Sequence, residues 1–551
     1  MFADRSKLAD NPWQGEAGCT RVALDCVFER LAPRELLRCG GVCRAWRRAA
    51  RAGPLWRRAL LPRAGPRLLR ALADTARANR DTLVPPDARP DCTKQSWASW
   101  NWVYEGMLSM ARWERSESLA PAAGAPLVHM ALDSSDTRLA VLAEDGHLSI
   151  WACSRAGETG HWREHWSGLA SAEWREACSA QWAPREPRLL AAGAMLLADR
   201  WEVLVFDVDD FRGKIICRAA CSAGTSCCWM DDDSFLTLRV QLLGPGQACT
   251  TVWLNAAAQE TYSEHAGVVM PLLRIYNEAA ANITHILIAD APFNLDEKYA
   301  SVEEENMEEG ECEDNMPQAA YFRCLRKDDR SQSVRMLIAA GGCPGGVRGQ
   351  ARALHGWSVP AQLRVPPIRV REELRERVRL RRERADSPPQ DLPEAAVRAL
   401  CTPPAALCPL AGTVLGIVAH PTGACVWVSS TAGLTCVSLP ALRRVLHLPV
   451  PNRAAPLYRV QPAVSDDYIA APLGDGSDEV CVWTARAAQR VARGLQHGRA
   501  GCALLALLPA SAAADAPREL LALTSDAVHV WRSWVPEVED IEPCENIINL
   551  E

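Results

Sequence analysis

Most of what would place this chain outside a cell or across a membrane is missing from it. No uninterrupted apolar run among its 551 residues is long enough to cross a bilayer. No basic-then-apolar segment opens the sequence as it would a secreted precursor, so a cytoplasmic protein with no membrane partner is expected. A strong excess of one charge is also lacking: 61 Lys and Arg stand against 67 Asp and Glu, a formal net charge of -6. Whole-chain basicity is the electrostatic footprint of nucleic-acid binding, and its absence predicts no nucleic-acid partner. The 22 cysteines include no CxxC pair, and neither Cys39–Cys43 nor adjacent Cys227–Cys228 has a second pair at zinc-site spacing. Free thiols, no metal and no other cofactor are therefore expected. No P-loop, GxSxG elbow or strand-borne GxGxxG is present; GGCPGG at 341–346 has no following Lys-Ser or Lys-Thr and reads as a tight turn between strands.

What is present begins with Ala23 to Leu60. Ala23, Leu24, Val27, Phe28 and Leu31 form one stripe of an amphipathic helix. Pro33 opens a second short helix, where its missing N–H costs nothing, with Leu36 and Leu37 as its apolar face before Gly40 and Gly41 break the run. A third helix from Val42 to about Arg51 carries Val42, Trp46 and Ala49 at helical spacing, and the chain leaves through Pro54, Leu55 and Trp56. Three helices in so short a span bury their own apolar faces poorly, so the unit needs a partner surface.

The run VFERLAPRELLRCGGVCRAW, with Trp56 ten residues after Trp46, resembles the F-box, the adaptor-binding module of cullin-RING ubiquitin ligases. Pro33, Leu36, Leu37, Val42, Cys43, Arg44, Trp46, Leu55 and Trp56 agree with its spacing, whereas the usual opening Leu-Pro pair is replaced by Cys19 and Thr20, which implies a weakened part of the usual contact. The resemblance implies a Skp-type adaptor held by Leu24, Val27, Phe28, Leu31, Pro33, Leu36, Leu37, Val42, Cys43, Trp46, Leu55 and Trp56.

Downstream, SWASWNWVYEGML places Trp97, Trp100, Tyr104, Met107 and Leu108 on one helical face and reads as a docking helix. From about residue 125 the pattern turns to short strands and turns. PLVHMALDSSDTRLAVLAEDGHLSIW is the clearest unit, with a DSSD turn, the hairpin pair Asp145-Gly146 and a third strand closing on Trp151. Comparable third strands close at Phe206, Trp253, Leu439, Trp483 and Trp531; the intervals 206 − 151 = 55, 253 − 206 = 47 and 531 − 483 = 48 match one propeller blade plus loops. These units resemble WD repeats with the Asp beside the closing Trp lost.

Two charged stretches interrupt the repeat. Asp296 to Asp314 holds ten acidic residues and one lysine, and Arg369 to Arg384 alternates arginine with glutamate, with Glu373 and Arg377 paired at i, i+4. Both are expected to project from the propeller. The motif HWREH, His161 to His165, has the H-x-x-E-H order of a zinc peptidase family, but it lies between two blades with no long helix and no third ligand, so a strand edge or surface loop is the expectation.

The expected organisation is a tail at 1–18, an F-box at 19–62, a helical linker at 63–124, a WD40-like propeller of seven or eight blades at 125–535 with insertions at 296–320 and 364–400, and an acidic tail at 536–551. The fold class is mainly β, with a small three-helix domain in front. Together the modules resemble the F-box/WD-repeat family. That likeness implies a non-catalytic substrate receptor of an SCF-type ligase; the other readings are a propeller scaffold without ligase function, a receptor for a cullin-4 ligase through its adaptor, and, on HWREH alone, a zinc hydrolase.

Overall fold

The computed structural model describes most of the chain from Arg112 to Trp534 and scattered positions between Val27 and Trp56; 259–268, 293–332, 361–392 and 451–460 are the longer stretches outside the described residues. The expected docking helix at 96–108, the acidic run and both tails fall outside them too.

Among the described residues, strands make seven four-stranded antiparallel sheets, the seven blades of one propeller. Blade 1 contains β2 (Leu127–Leu132), β3 (Arg138–Ala143), β4 (His147–Ser154) and β5 (His161–Leu169) in that order. Its turns follow the chemistry of the sequence. Asp133 Oδ1 accepts the N–H groups of Thr137 and Arg138 at 2.8 and 2.9 Å, closing the DSSD turn. Gly146 adopts φ +86°, the left-handed conformation a two-residue hairpin needs and that glycine takes without a Cβ penalty.

Blade 2 runs from β6 (Trp174–Trp182) through β7 (Arg188–Met195) and β8 (Trp201–Asp207) to β9 (Lys214–Cys221). Blade 3 comprises β10 (Cys228–Trp229), β11 (Ser234–Gly244), β12 (Gln247–Ala256) and β13 (Val269–Tyr276). In blade 4, β14 (His285–Pro292) is followed by β15 (Ser333–Gly341), β16 (Ala353–Ser358) and β17 (Ala406–Pro409). Blade 5 spans β18 (Val414–Ala419) to β21 (Arg443–Leu448), and blade 6 spans β22 (Ala463–Val464) to β25 (Arg490–Gln496).

The last blade settles where the propeller starts. Its sheet order is β1 (Arg112–Leu119), β28 (Val528–Trp534), β27 (Arg518–Leu523) and β26 (Leu504–Leu508), so the earliest strand supplies the outer edge to three strands from the far end of the chain. Residues 112–119, expected in a helical linker, thus belong to the ring, which begins before 125. RWERSESL is polar except at Trp113 and Leu119, and only pairing with β28, from Arg112↔Trp534 to Leu119↔Val528 with a bulge at Ser116, makes it a strand.

The core lies between blades rather than inside any one of them. Leu127, Leu139 and Trp151 of blade 1 pack with Leu521, Leu523, Val528 and Val530 of blade 7. Val128, Ala140 and Ile150, on the alternate face of the same strands, pack with Ala180, Leu189 and Leu204 of blade 2. Inner strands are therefore apolar on both faces, as in RLLAAGAM of β7, where only the two ends are not fully buried.

Blade 4 explains the irregular repeat between Trp253 and Thr413, where only two strand clusters are recognisable in the sequence. Both clusters, now β14 and β15, belong to one blade, with 293–332 joining them and 359–405 joining β16 to β17. Consecutive antiparallel strands alternate direction, so both insertions leave the same end of the ring. The second does not wholly project. Its final part forms a short helix, α1 (Glu394–Ala399), whose Val397 is completely buried against Cys249 of blade 3. Arg398 lies 4.1 Å from the Tyr276 ring centroid and its guanidinium donates to both carboxylate oxygens of Glu278.

Candidate functional site

In the expected F-box, Val27, Phe28, Leu36, Cys39, Trp46, Ala50, Leu55 and Trp56 are helical. The first helix ends in a tight turn, with Arg30 N–H donating to Val27 O and Leu31 N–H to Phe28 O. Phe28 meets Trp46 edge to face with ring centroids 5.4 Å apart, which ties the first and third helices together. Trp56 Nε1 donates to Ala50 O at 2.8 Å, so the indole is satisfied inside the module. Leu24, Pro33, Leu37, Val42 and Cys43 lie outside the described residues.

Burial sorts the expected adaptor-binding set into two groups. Phe28, Leu36, Leu55 and Trp56 are 1%, 1%, 7% and 0% exposed and hold the module's interior. Val27 is 52% exposed, and Leu31 and Trp46 are half-buried, so these keep apolar surface open to a partner. Sequence spacing alone does not separate the groups, because both lie on apolar helical stripes.

In the propeller, Trp151, Phe206, Trp253, Trp483 and Trp531 all lie on the third strand of their blades and are buried. Trp151 Nε1 donates to Ser149 Oγ at 3.2 Å. The equivalent residue of blade 4 is Trp357, buried on β16, its indole donating to Thr402 O at 3.2 Å. The long insertions on either side hide its place in the repeat. A second aromatic series sits on the first strands: Trp182 Nε1 donates to Ala131 O, and Trp229 Nε1 to Gln181 O, each reaching back to the preceding blade. Their interval, 229 − 182 = 47, equals one repeat, and it is the signal by which they could be found.

HWREH occupies β5, the outer strand of blade 1. The helical placement of a peptidase motif is therefore absent, and a bulge at His165 falls between the pairs Ile150↔Trp166 and Trp151↔Glu164. His161 Nδ1 lies 2.9 Å from Glu117 Oε1 of β1, and the same oxygen accepts from Arg532 Nη2 at 3.1 Å. Arg532 Nε also donates to Glu519 Oε1 at 2.8 Å. The motif thus belongs to the seam that closes the ring. No group of three His, Cys, Asp or Glu side chains suited to a metal occurs among the described residues.

GGCPGG forms the β15–β16 connection. A Cβ on Gly342 would lie 1.8 Å from Glu278 O, so the motif serves close packing against the 3₁₀ turn Glu278–Ala280. At the contact of blades 2 and 3, desolvation pushes Cys217 and Cys227 up to about 12.

The opposite end of the ring from the blade 4 insertions carries exposed apolar residues. Leu197 is 97% exposed and Leu196 58% in the β7–β8 hairpin, and Leu242 is 68% exposed in β11 beside the β11–β12 hairpin. Arg239 stands close by, held below the usual arginine range by burial and by the charge of Arg200.

Comparison with known proteins bears on both modules. A family model described as F-box-like matches residues 23–62. Over 268 residues the chain is 24% identical to F-box/WD repeat-containing protein 5 of Rattus norvegicus and 23% identical to the proteins of that name in Mus musculus and Homo sapiens. These matches support reading the chain as a divergent relative of the F-box/WD-repeat family. The aligned region covers 48% of the chain and 42% of each relative, so the match spans less than half of the relatives' length. Among the described residues, no helix is long and apolar enough to cross a membrane.

Proposed function

We propose that this F-box/WD-repeat protein is a non-catalytic, cytoplasmic substrate receptor of an SCF-type cullin-RING ubiquitin ligase. The observation that carries the reading is the pairing of an F-box-like match at 23–62 with a closed seven-bladed ring in the same chain. The F-box holds a Skp-type adaptor, with Val27, Leu31 and Trp46 as its apolar contact, and the ring holds the target protein for ubiquitination and proteasomal degradation. Rate enhancement then comes from effective concentration: the receptor brings target lysines to a ubiquitin-loaded enzyme carried by the cullin. Target docking is assigned to the ring end with Leu196, Leu197 and Leu242, where apolar side chains stand in water beside Arg200 and Arg239.

The full chain is expected to capture a purified Skp-type adaptor directly, and absence of capture would overturn the SCF reading. Cys19 and Thr20, in place of the customary Leu-Pro, favour a second reading: a scaffold, or a receptor that joins a cullin-4 ligase through its propeller. Capture of a cullin-4 adaptor in place of the Skp type would select the latter.

A further inference from the structure

The docked end of the Arg/Glu-rich insertion brings two cysteines together that are 401 − 249 = 152 positions apart. Cys249 lies on β12 and is fully buried; Cys401 lies two residues beyond the end of α1 and is half-buried. Both belong to one small cluster with Val397 and Tyr276, in which Cys249 Sγ also lies 3.9 Å from Gln241 Oε1. The approach is held on every side. Arg398 clamps Glu278 and covers Tyr276, Thr402 N–H donates to Arg274 O at 2.7 Å, and Trp357 Nε1 donates to Thr402 O. Cys401 is therefore fixed between two backbone-anchored neighbours rather than carried on a free tail.

We propose that Cys249 and Cys401 form a reversible oxidation site, at which a peroxide converts the neighbouring thiols into a disulfide that fastens the insertion to blade 3. The pair is chemically asymmetric. The neighbouring Cys401 thiol, with Arg274 nearby, holds Cys249 below the usual thiol range, while Cys249 and desolvation push Cys401 up. Cys249 thiolate attacks the peroxide O–O bond, forming a sulfenic acid and releasing hydroxide. The Cys401 sulfur then attacks the sulfenic sulfur, the S–OH bond breaks, and the thiol proton leaves with the departing hydroxyl as water. In sum, two thiols and one hydrogen peroxide give one disulfide and two waters. Cys227, half-buried at the contact of blades 2 and 3 and pushed up to about 12, is more exposed than Cys249 and serves as the internal control for access alone.

The test is a hydrogen peroxide titration of the folded full-length chain, followed by alkylation, digestion and mass spectrometry. A Cys249–Cys401 linked peptide is expected before Cys227 is consumed, with simultaneous loss of both free thiols and full recovery after dithiothreitol. Oxidation should raise the melting temperature of the wild type and leave that of Cys401→Ser, whose site is half-buried and whose fold is checked by its β signal, unshifted. Alkylation of both cysteines at doses that consume other thiols, linkage of Cys249 elsewhere, or overoxidation to sulfinic acid without linkage would each overturn the proposal.

Discussion

Residues of the expected adaptor-binding set do different work. Trp56 is fully buried with its indole satisfied, so Trp56→Ala should cost about 3–5 kcal/mol and appear as loss of F-box helicity in circular dichroism. Val27 is 52% exposed, so Val27→Asp should leave that helicity intact while weakening adaptor capture at least about tenfold in a direct binding assay. Unchanged capture would remove Val27 from the contact. In the ring, Ala180 N–H donates to His129 Nδ1 at 3.2 Å across the seam of blades 1 and 2, an acceptor role only neutral imidazole can fill. Burial lowers this histidine from 6.5 to about 4. Between those values the unfolded chain binds a proton that the folded one does not. Stability is therefore fully present above pH 6.5 and falls towards pH 4 by up to about 1.4 kcal/mol per pH unit. His129→Asn keeps an acceptor and removes the titration, so its melting temperature should depend less steeply on pH in that window; an equal slope would assign the acid sensitivity to other groups, such as His285 and His355, which burial also lowers.

At the scale of elements, the third strands were legible because each ends a regular interval on a large apolar residue. Trp357 was not, since insertions before and after β16 erase the interval while leaving the strand itself intact. β1 was illegible for another reason: an outer strand that is almost wholly polar has no local signal distinguishing it from a linker, and its partner is more than 400 residues away in sequence. α1 illustrates the reverse error, in which a charged insertion reads as wholly solvated although Val397 and Arg398 anchor its end. Val397→Asp buries a carboxylate without a partner, and we expect a loss of about 3 kcal/mol or more of stability together with proteolytic release near α1. Gly342→Ala should also destabilise blade 4, by about 1–3 kcal/mol in denaturant unfolding, because the new Cβ collides with backbone at Glu278 rather than with a movable side chain.

On the scale of the whole molecule, stability depends on closure, since the apolar clusters lie between blades and every blade needs two neighbours. Deleting 112–119 removes the outer strand of blade 7 and, with Glu117, the acceptor shared by His161 and Arg532. The expected result is one cooperative destabilisation of the entire β signal. Deleting 298–314, which lies between β14 and β15, should leave the melting curve nearly unchanged; cooperative loss of the β signal there would show the acidic run to be part of the ring. The sequence by itself determined the module order, the blade period and the composition of the strands, because period-2 burial and turn chemistry are local properties. Only the tertiary structure decided that the blades number seven, that the ring closes through residues 112–119, that HWREH belongs to that seam, and that Cys249 meets Cys401. Each of these depends on contacts between residues far apart in the chain, and such pairings leave no periodic trace in either partner.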